Sequence, residues 1–351
     1  MNIVEVEKLK AGMVLSRTVV DSRFVVILSE NTVLNEKHIA ALKAAQVPAV
    51  HIKDEYELSK LFQQVSSITR KDSVFNNNFE RVAKLAAKVF NEIKEGGEIK
   101  TAVVLLTAQI LPMVDNPAST NYLFTLSHRS TSLALHGERV AIFAGIIAKW
   151  MNFSWDEIRV LMIAAFLHDV GKFKFPQTLL AKTEDELSAK EMMLHRSHPQ
   201  IGAALLRKLK FTEPIPTIIM QHHEHVNGSG FPHQIHGAQI HLFAKIIAVA
   251  DAYDNLIIER PGFVKKTPFD AVNYLMRNQY TRYDPAICVP FITHLKDSLV
   301  GSTVTLSNGR TGRVIFYPKD FSAMPTVVLD DGSQINLNCS ANLSIVEYHT
   351  S

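Results

Sequence analysis

The chain has 351 residues, which predicts two or three domains. Hydrophobic residues make up 47% and charged residues 20%, which excludes a disordered tail. Lys plus Arg number 37 and Asp plus Glu 34, a net charge of +3 that argues against a dedicated nucleic-acid binder, which carries a clustered basic surplus.

The two cysteines, Cys288 and Cys339, exclude a disulfide framework and a cysteine-rich zinc module. The opening MNIVEVEKLK has early glutamates and no apolar core, so it does not read as a signal peptide. No apolar run approaches the roughly 18 residues of a membrane span. A soluble, cytoplasmic protein is expected. Histidine breaks this ordinary pattern: 11 of the 15 lie between His128 and His241. Without cysteine ligands, a metal site here must be built from histidines and carboxylates.

In chain order, residues 1–54 read as a small α/β module, with a helix from about Glu36 to Ala45 and a closing strand from Val47 to Ile52. Residues 55–120 read as a helical connecting region. Val82, Leu85, Ala86, Val89, Phe90 and Ile93 share one stripe, stopped by Gly96-Gly97. This is a packing or linker helix, with a coiled-coil homodimer contact as the alternative. TAVVLLTAQILPMV is apolar, broken by Pro112, and reads as buried core. Residues 121–297 are helical by period. Ser154 and Glu157 form a capping box, Pro199 opens a helix, and Ile246 to Leu256 lies on another. Residues 298–351 alternate and turn at Asn308-Gly309 and Asp331-Gly332, as in a small β module. The predicted fold is mainly α: a helical bundle with a small N-terminal α/β module and a small C-terminal β module.

The chemistry gathers in the bundle. His168-Asp169 ends an apolar helix, and a buried carboxylate must pair or bind a metal. Gly171 is read as the helix stop. Lys172 then lies near the pair, where its ammonium can meet a phosphate. Asp251 repeats the argument within KIIAVADAYDNLI, with a helix terminus or an arginine as the alternative partner. His222 and His223 are adjacent, and adjacent helical residues point about 100° apart. Both can bind one metal only at a helix end, and the Gly-rich stretch after Asn227 supplies that end. His198 stands at a helix start before Pro199, and His136 precedes the inward face Val140, Phe143 and Ile147. One inward histidine is more often a satisfied core residue. Five histidines and two carboxylates in one bundle point instead to metal. Nitrogen and oxygen ligands suit Fe, Mn or Zn. An aspartate beside a histidine can bridge two ions about 3.5–4 Å apart, which share a hydroxide nucleophile for in-line attack on phosphorus. His195, His225, His233, His236 and His241 read as surface or supporting residues.

Taken together, these motifs resemble the HD superfamily of metal-dependent phosphohydrolases, and more narrowly the HD-GYP cyclic di-GMP phosphodiesterases. The likeness runs from about Ser130 to Leu295. It is carried by His136-x-x-Arg-Val, HDVGKFKFPQTLLAK from His168, HPQIG from His198, HHEHVNGSGFP from His222, IIAVADAYDNL, and Glu259-Arg260-Pro261. KLKAGMVL through VPAVHI more loosely resembles a small module that precedes such domains.

The resemblance implies a helical bundle holding two divalent ions, Fe or Mn favoured over Zn, Ni or Co. It assigns His136, His168, Asp169 and Asp251 to one ion, with Asp169 bridging to a second held by His198, His222 and His223. Asp169 and Lys172 become the catalytic residues, Lys172 on the scissile phosphate. Lys172, Asn227, Phe231 and Arg260 become substrate contacts. Four positions depart from the family pattern. Ser132 stands where members with a third metal carry Glu, so two metals are expected. His225 replaces an Arg, Asn227 an Asp, and Phe231 the Tyr of GYP.

The implied function is hydrolysis of a cyclic dinucleotide, foremost cyclic di-GMP, to linear pGpG and on to GMP, in bacterial second-messenger signalling. The altered loop motivates an alternative: a cyclic di-GMP sensor or scaffold that acts on signalling proteins through the Gly228–Phe231 loop or the end modules. A mixed cyclic dinucleotide is a further alternative substrate.

Overall fold

The computed structural model describes residues 2–10, 13, 15–20, 26–28, 32, 34–52, 79–93, 99–116, 124, 132–180, 182, 184–258, 265–318, 324–340 and 342–349. Their contacts divide the chain into two units, Met1–Ser73 with Leu299–His349, and Val74–Ser298.

In the first unit, β1 (Asn2–Glu5) pairs antiparallel with β4 (Ala49–Ile52), Asn2 opposite Ile52. β2 (Val19–Val20) pairs with β3 (Val26–Leu28). Helix α1 (Glu36–Ala44) starts at Asn35, whose side chain accepts from the His38 amide at 2.9 Å. Leu15, Leu34, Leu42, Val50 and Ile52 form its core. The C-terminal strands are β5 (Thr303–Leu306), β6 (Thr311–Phe316), β7 (Thr326–Leu329), β8 (Gln334–Asn336) and β9 (Ile345–His349). They form one antiparallel sheet in the order β8-β7-β6-β5-β9. Alternation turns Val304, Leu306, Val314, Val327 and Leu329 inward. Asn35 Nδ2 donates to the Gly332 carbonyl at 3.5 Å, and Gln334 Nε2 lies 3.0 Å from His38 Nε2. The two stretches, distant in sequence, thus belong to one unit.

The second unit is helical. Residues 79–93 form α2, burying Val82, Ala86, Val89, Phe90 and Ile93 along the expected stripe; Gly96-Gly97 lie outside the described residues. Helix α3 (Lys100–Asp115) runs through Pro112 without a break, which corrects the sequence expectation. Proline removes one hydrogen bond near the last turn, and the packing of Val103, Leu106, Ile110 and Met113 outweighs it. Nor is the run wholly buried: Val104 and Leu105 are 46% and 58% exposed.

Helix α4 (Leu133–Trp150) is buried continuously from Gly137 to Ala148 and packs against α3, α5 (Trp155–Leu167) and α10 (Leu242–Ile257). The α5 capping box is present: Ser154 N donates to Glu157 Oε2 at 2.9 Å, and Glu157 N donates to Ser154 Oγ at 3.4 Å. Helices α6 (Gln177–Leu180), α7 (Ala189–Arg196), α8 (His198–Lys208), α9 (Ile215–Gln221), α11 (Pro268–Asn278) and α12 (Pro285–Leu299) complete the helical set described here. The fold is mainly α, with small sheets from the N- and C-terminal stretches. Among the described residues, no helix is long and apolar enough to cross a membrane.

Candidate metal centre

Helices α4 and α5 cross closely because residue 137 is glycine: a Cβ there would lie 2.4 Å from the Phe166 carbonyl oxygen. The crossing brings His136, in the first turn of α4, to His168, the C-cap of α5. Three histidines are then oriented by one local device. His168 Nδ1 donates to the Ala165 carbonyl at 2.7 Å, His198 Nδ1 to His195 O at 2.6 Å, and His222 Nδ1 to Ile219 O at 2.6 Å. A carbonyl only accepts, so Nδ1 carries the proton and the Nε2 lone pair faces the other way.

His136 reaches the same tautomer through a side chain. Its Nδ1 donates to Asp254 Oδ2 at 2.8 Å, and Arg139 grips that carboxylate with Nε at 2.6 Å and Nη2 at 3.0 Å. Arg139 and Asp254 are each 1% exposed.

Four lone pairs converge as a result. His136 Nε2 is 3.2 Å from His168 Nε2, and His198 Nε2 is 3.3 Å from His222 Nε2. Facing lone pairs repel, so this packing suits bound cations. Asp169 lies between the pairs. Its Oδ1 is 3.2 Å from His198 Nε2 and 3.8 Å from His222 Nε2, while its Oδ2 is 3.6 Å from both His136 and His168 Nε2. Asp251 Oδ1 is 3.1 Å from His136 Nε2 and 3.7 Å from His168 Nε2. Two donor groups emerge, each with ligand atoms within 4.8 Å of one another: His136, His168 and Asp251, and Asp169, His198, His222 and His223. His223 Nε2 and Asp169 Oδ1 are buried without a hydrogen-bond partner. Oriented imidazoles, orphaned donor atoms and a shared carboxylate fit divalent ions.

Asp169 reaches His198 because of Gly171. A Cβ on Gly171 would lie 2.0 Å from the His198 carbonyl oxygen. The reading of Gly171 as the helix stop is corrected: α5 ends at Leu167, and Gly171 sits in a 3₁₀ turn, Val170–Lys174, packed on α8. Its missing side chain, rather than a left-handed turn, is what this position requires.

The electrostatics agree with the geometry. Burial pushes the His222 and His223 pKa values well below the ordinary range, and neighbouring imidazoles push them further, so both stay in the neutral form that binds metal. His198 is lowered by burial and then by Lys172. Burial opposes ionisation of Asp169, but Lys172 and His168 outweigh it and hold this carboxyl well below the usual range. At His136 burial is again the largest influence, yet hydrogen bonds to Asp251 and Asp254 prevail and raise it to about 9, so without a cation in the pocket its Nε2 takes up a proton in place of the lone pair. That field favours positive charge in the pocket.

The other sequence candidates fall around this centre. Lys172 Nζ is 2.5 Å from Asp169 Oδ2. The Phe231 ring stacks on His223 at 4.7 Å and 27°. Asn227 Oδ1 accepts from Ser229 N at 3.0 Å and Ser229 Oγ at 2.7 Å, within its own loop. Ser132 caps α4, its Oγ accepting from Leu135 N at 3.3 Å. Arg260 lies outside the described residues.

Four supporting residues were given no role by the sequence reading, although they lie within its motifs. Asp254 and Arg139 orient His136. Asn255 Nδ2 donates to Asp251 Oδ1 at 2.7 Å. Glu224, 2% exposed, accepts from His233 N at 2.6 Å and Ile235 N at 3.2 Å, which ties the loop after the paired histidines. A signal existed for two of them: Arg139 follows His136, and Asp254 follows Asp251, by the three-residue step that shares a helix face.

Residues 124–287 match the family described as HD domain. The chain is 35% identical over 162 residues to the cyclic di-GMP phosphodiesterase response regulator RpfG of Xanthomonas campestris, covering 46% of this chain and 43% of that protein. It is 32% identical over 158 residues to 3'3'-cGAMP-specific phosphodiesterase 3 of Vibrio cholerae, covering 45% of this chain and 34% of that protein. The chain thus spans less than half the length of either relative. Among solved structures, Bd1817, an HDG"Y"P protein from Bdellovibrio bacteriovorus, superposes with a TM-score of 0.51 at 20% identity, over 84% of this chain and 98% of that one. That likeness concerns the fold alone.

Proposed function

We propose, from the match of residues 124–287 to the family described as HD domain and from the geometry of the centre, that the chain is a metal-dependent phosphodiesterase cleaving a cyclic dinucleotide, cyclic di-GMP first. The observation that carries this reading is Asp169, whose two oxygens face two separate histidine pairs. His136, His168 and Asp251 would hold one divalent ion and His198, His222 and His223 the other, with Asp169 between them. Such a pair supplies charge for an in-line displacement at phosphorus and lowers the pKa of an attacking water.

The chain's own residues do the rest. The three backbone carbonyls and Asp254 keep the imidazoles in one tautomer, so the ligand atoms need no reorganisation when substrate arrives. Lys172, paired with Asp169 in this structure, is half-buried and would turn its ammonium to a phosphoryl oxygen of the substrate. Asn227, Phe231 and Arg260 complete the proposed substrate contacts. Ring opening gives linear pGpG, and a second cleavage gives GMP. The complete ligand set supports catalysis over a role as a sensor alone. The name of the Vibrio cholerae relative supports a second reading of the substrate, a mixed cyclic dinucleotide.

The test is elemental analysis of anaerobically purified protein together with turnover of cyclic di-GMP, 3'3'-cGAMP and linear dinucleotides. About two Fe or Mn ions per chain and cleavage of a cyclic dinucleotide are expected. Asp169→Asn should lower turnover by on the order of a hundredfold or more. A metal-replete protein that binds cyclic di-GMP yet cleaves no cyclic dinucleotide would overturn the reading.

A further inference from the structure

A cyclic dinucleotide carries two phosphodiesters, and a metal centre engages one. The second brings a negative charge that must meet a cation or stay in water. Most cations near the centre are already committed. Arg139 is buried on Asp254, Lys172, beside Asp169, is assigned to the phosphate being cleaved, and Lys245 Nζ pairs with Asp284 Oδ2 at 2.8 Å. Arg282 Nη1 donates to the Tyr274 hydroxyl at 3.1 Å.

Arg196 differs. It is the last residue of α7, two positions before His198, and its side chain is exposed. Its guanidinium carbon sits 5.6 Å from the centroid of the Phe231 ring. Phe231 in turn stacks on His223. Among the described residues, no carboxylate pairs with Arg196. A guanidinium and a candidate metal ligand therefore both lie against one aromatic ring, which places a cation beside the centre. Stacking restricts the long side chain in advance, so less rotamer entropy is lost when it binds an anion. Its planar fork matches a phosphate with two parallel hydrogen bonds.

We infer that Arg196, held on Phe231, binds the phosphate of the cyclic dinucleotide that is not being cleaved. This rests on the proposed substrate class and adds to it a residue that selects two-phosphate substrates over simple diesters.

The test compares the metal-loaded full chain with Arg196→Gln and Arg196→Lys on two substrates. One is cyclic di-GMP. The other is bis(p-nitrophenyl) phosphate, a diester with no second phosphate. Arg196→Gln should raise KM for cyclic di-GMP by on the order of tenfold, with kcat little changed and the simple diester unaffected. Arg196→Lys, which keeps the charge but not the planar fork, should recover part of the loss. Equal losses on both substrates, no loss on either, or a lysine variant as poor as glutamine would overturn the inference. If the wild-type chain cleaves the simple diester but binds no cyclic dinucleotide, the substrate class itself falls and the inference falls with it. If the wild type binds cyclic di-GMP and Arg196→Gln binds it equally well, Arg196 alone is ruled out.

Discussion

At the scale of single residues, the centre depends on proton placement as much as on ligand identity. Each of four imidazoles must present Nε2, and each is held there by an acceptor on Nδ1. Three acceptors are backbone carbonyls, which mutation cannot remove. The fourth, Asp254, is a side chain, and so it is the point where the device can be tested. Asp254→Asn should lower affinity for the ion at His136, His168 and Asp251 by roughly 10–100-fold, read as metal stoichiometry under dialysis. It leaves Arg139 buried beside a neutral amide, so stability should fall by about 3–5 kcal/mol in urea denaturation. Undiminished metal content would show that His136 needs no such partner. The candidate histidines and aspartates were legible in the sequence, because their types and positions beside apolar runs are local features. Their orienting partners were less so, since Arg139 and Asp254 sit on different helices and meet only when α4 packs on α10.

At the scale of elements, the centre is assembled by close crossings. Helices α4 and α5 approach through Gly137, and the turn after α5 approaches α8 through Gly171. Gly171→Ala should force that turn away from the His198 carbonyl. A loss of about 1–3 kcal/mol in stability is expected, together with weakened metal binding at the His198 group, because Asp169 rides on the same turn. An alanine variant with wild-type stability and metal content would refute this account. Periodicity, the capping box at Ser154 and the helix start at Pro199 placed these elements correctly. The run through Pro112 was misjudged, because a proline near a helix end costs little when tertiary packing holds the rest of the stripe. Gly171 was misread for a related reason: a sequence shows that a side chain is missing, but not whether a turn or a neighbour required it.

At the scale of the whole molecule, many buried neutral histidines tie stability to pH. His195, His198, His222, His223 and His225 are all depressed by burial first. Below the ordinary histidine value of 6.5, the unfolded chain binds protons that the folded chain refuses, so stability falls as pH falls. His136 acts in the opposite sense. Raised to about 9, its contribution is full below 6.5 and lost as pH rises through 9. Five groups outweigh one on the acid side. Chelator-treated protein should therefore show a falling Tm between pH 7 and pH 5, and a constant Tm over that range would contradict the burial of these rings.

The sequence by itself determined the mainly α fold, the strand-rich terminal stretches and a set of seven candidate ligand residues. These follow from local periodicity and from the cost of burying polar groups, which any chain of this composition must meet. Only the tertiary structure decided which imidazole nitrogen faces the centre, which side chains orient the imidazoles, and which charge stands beside Phe231. Those are matters of distance between segments far apart in the chain, set by helix crossings that no local pattern specifies.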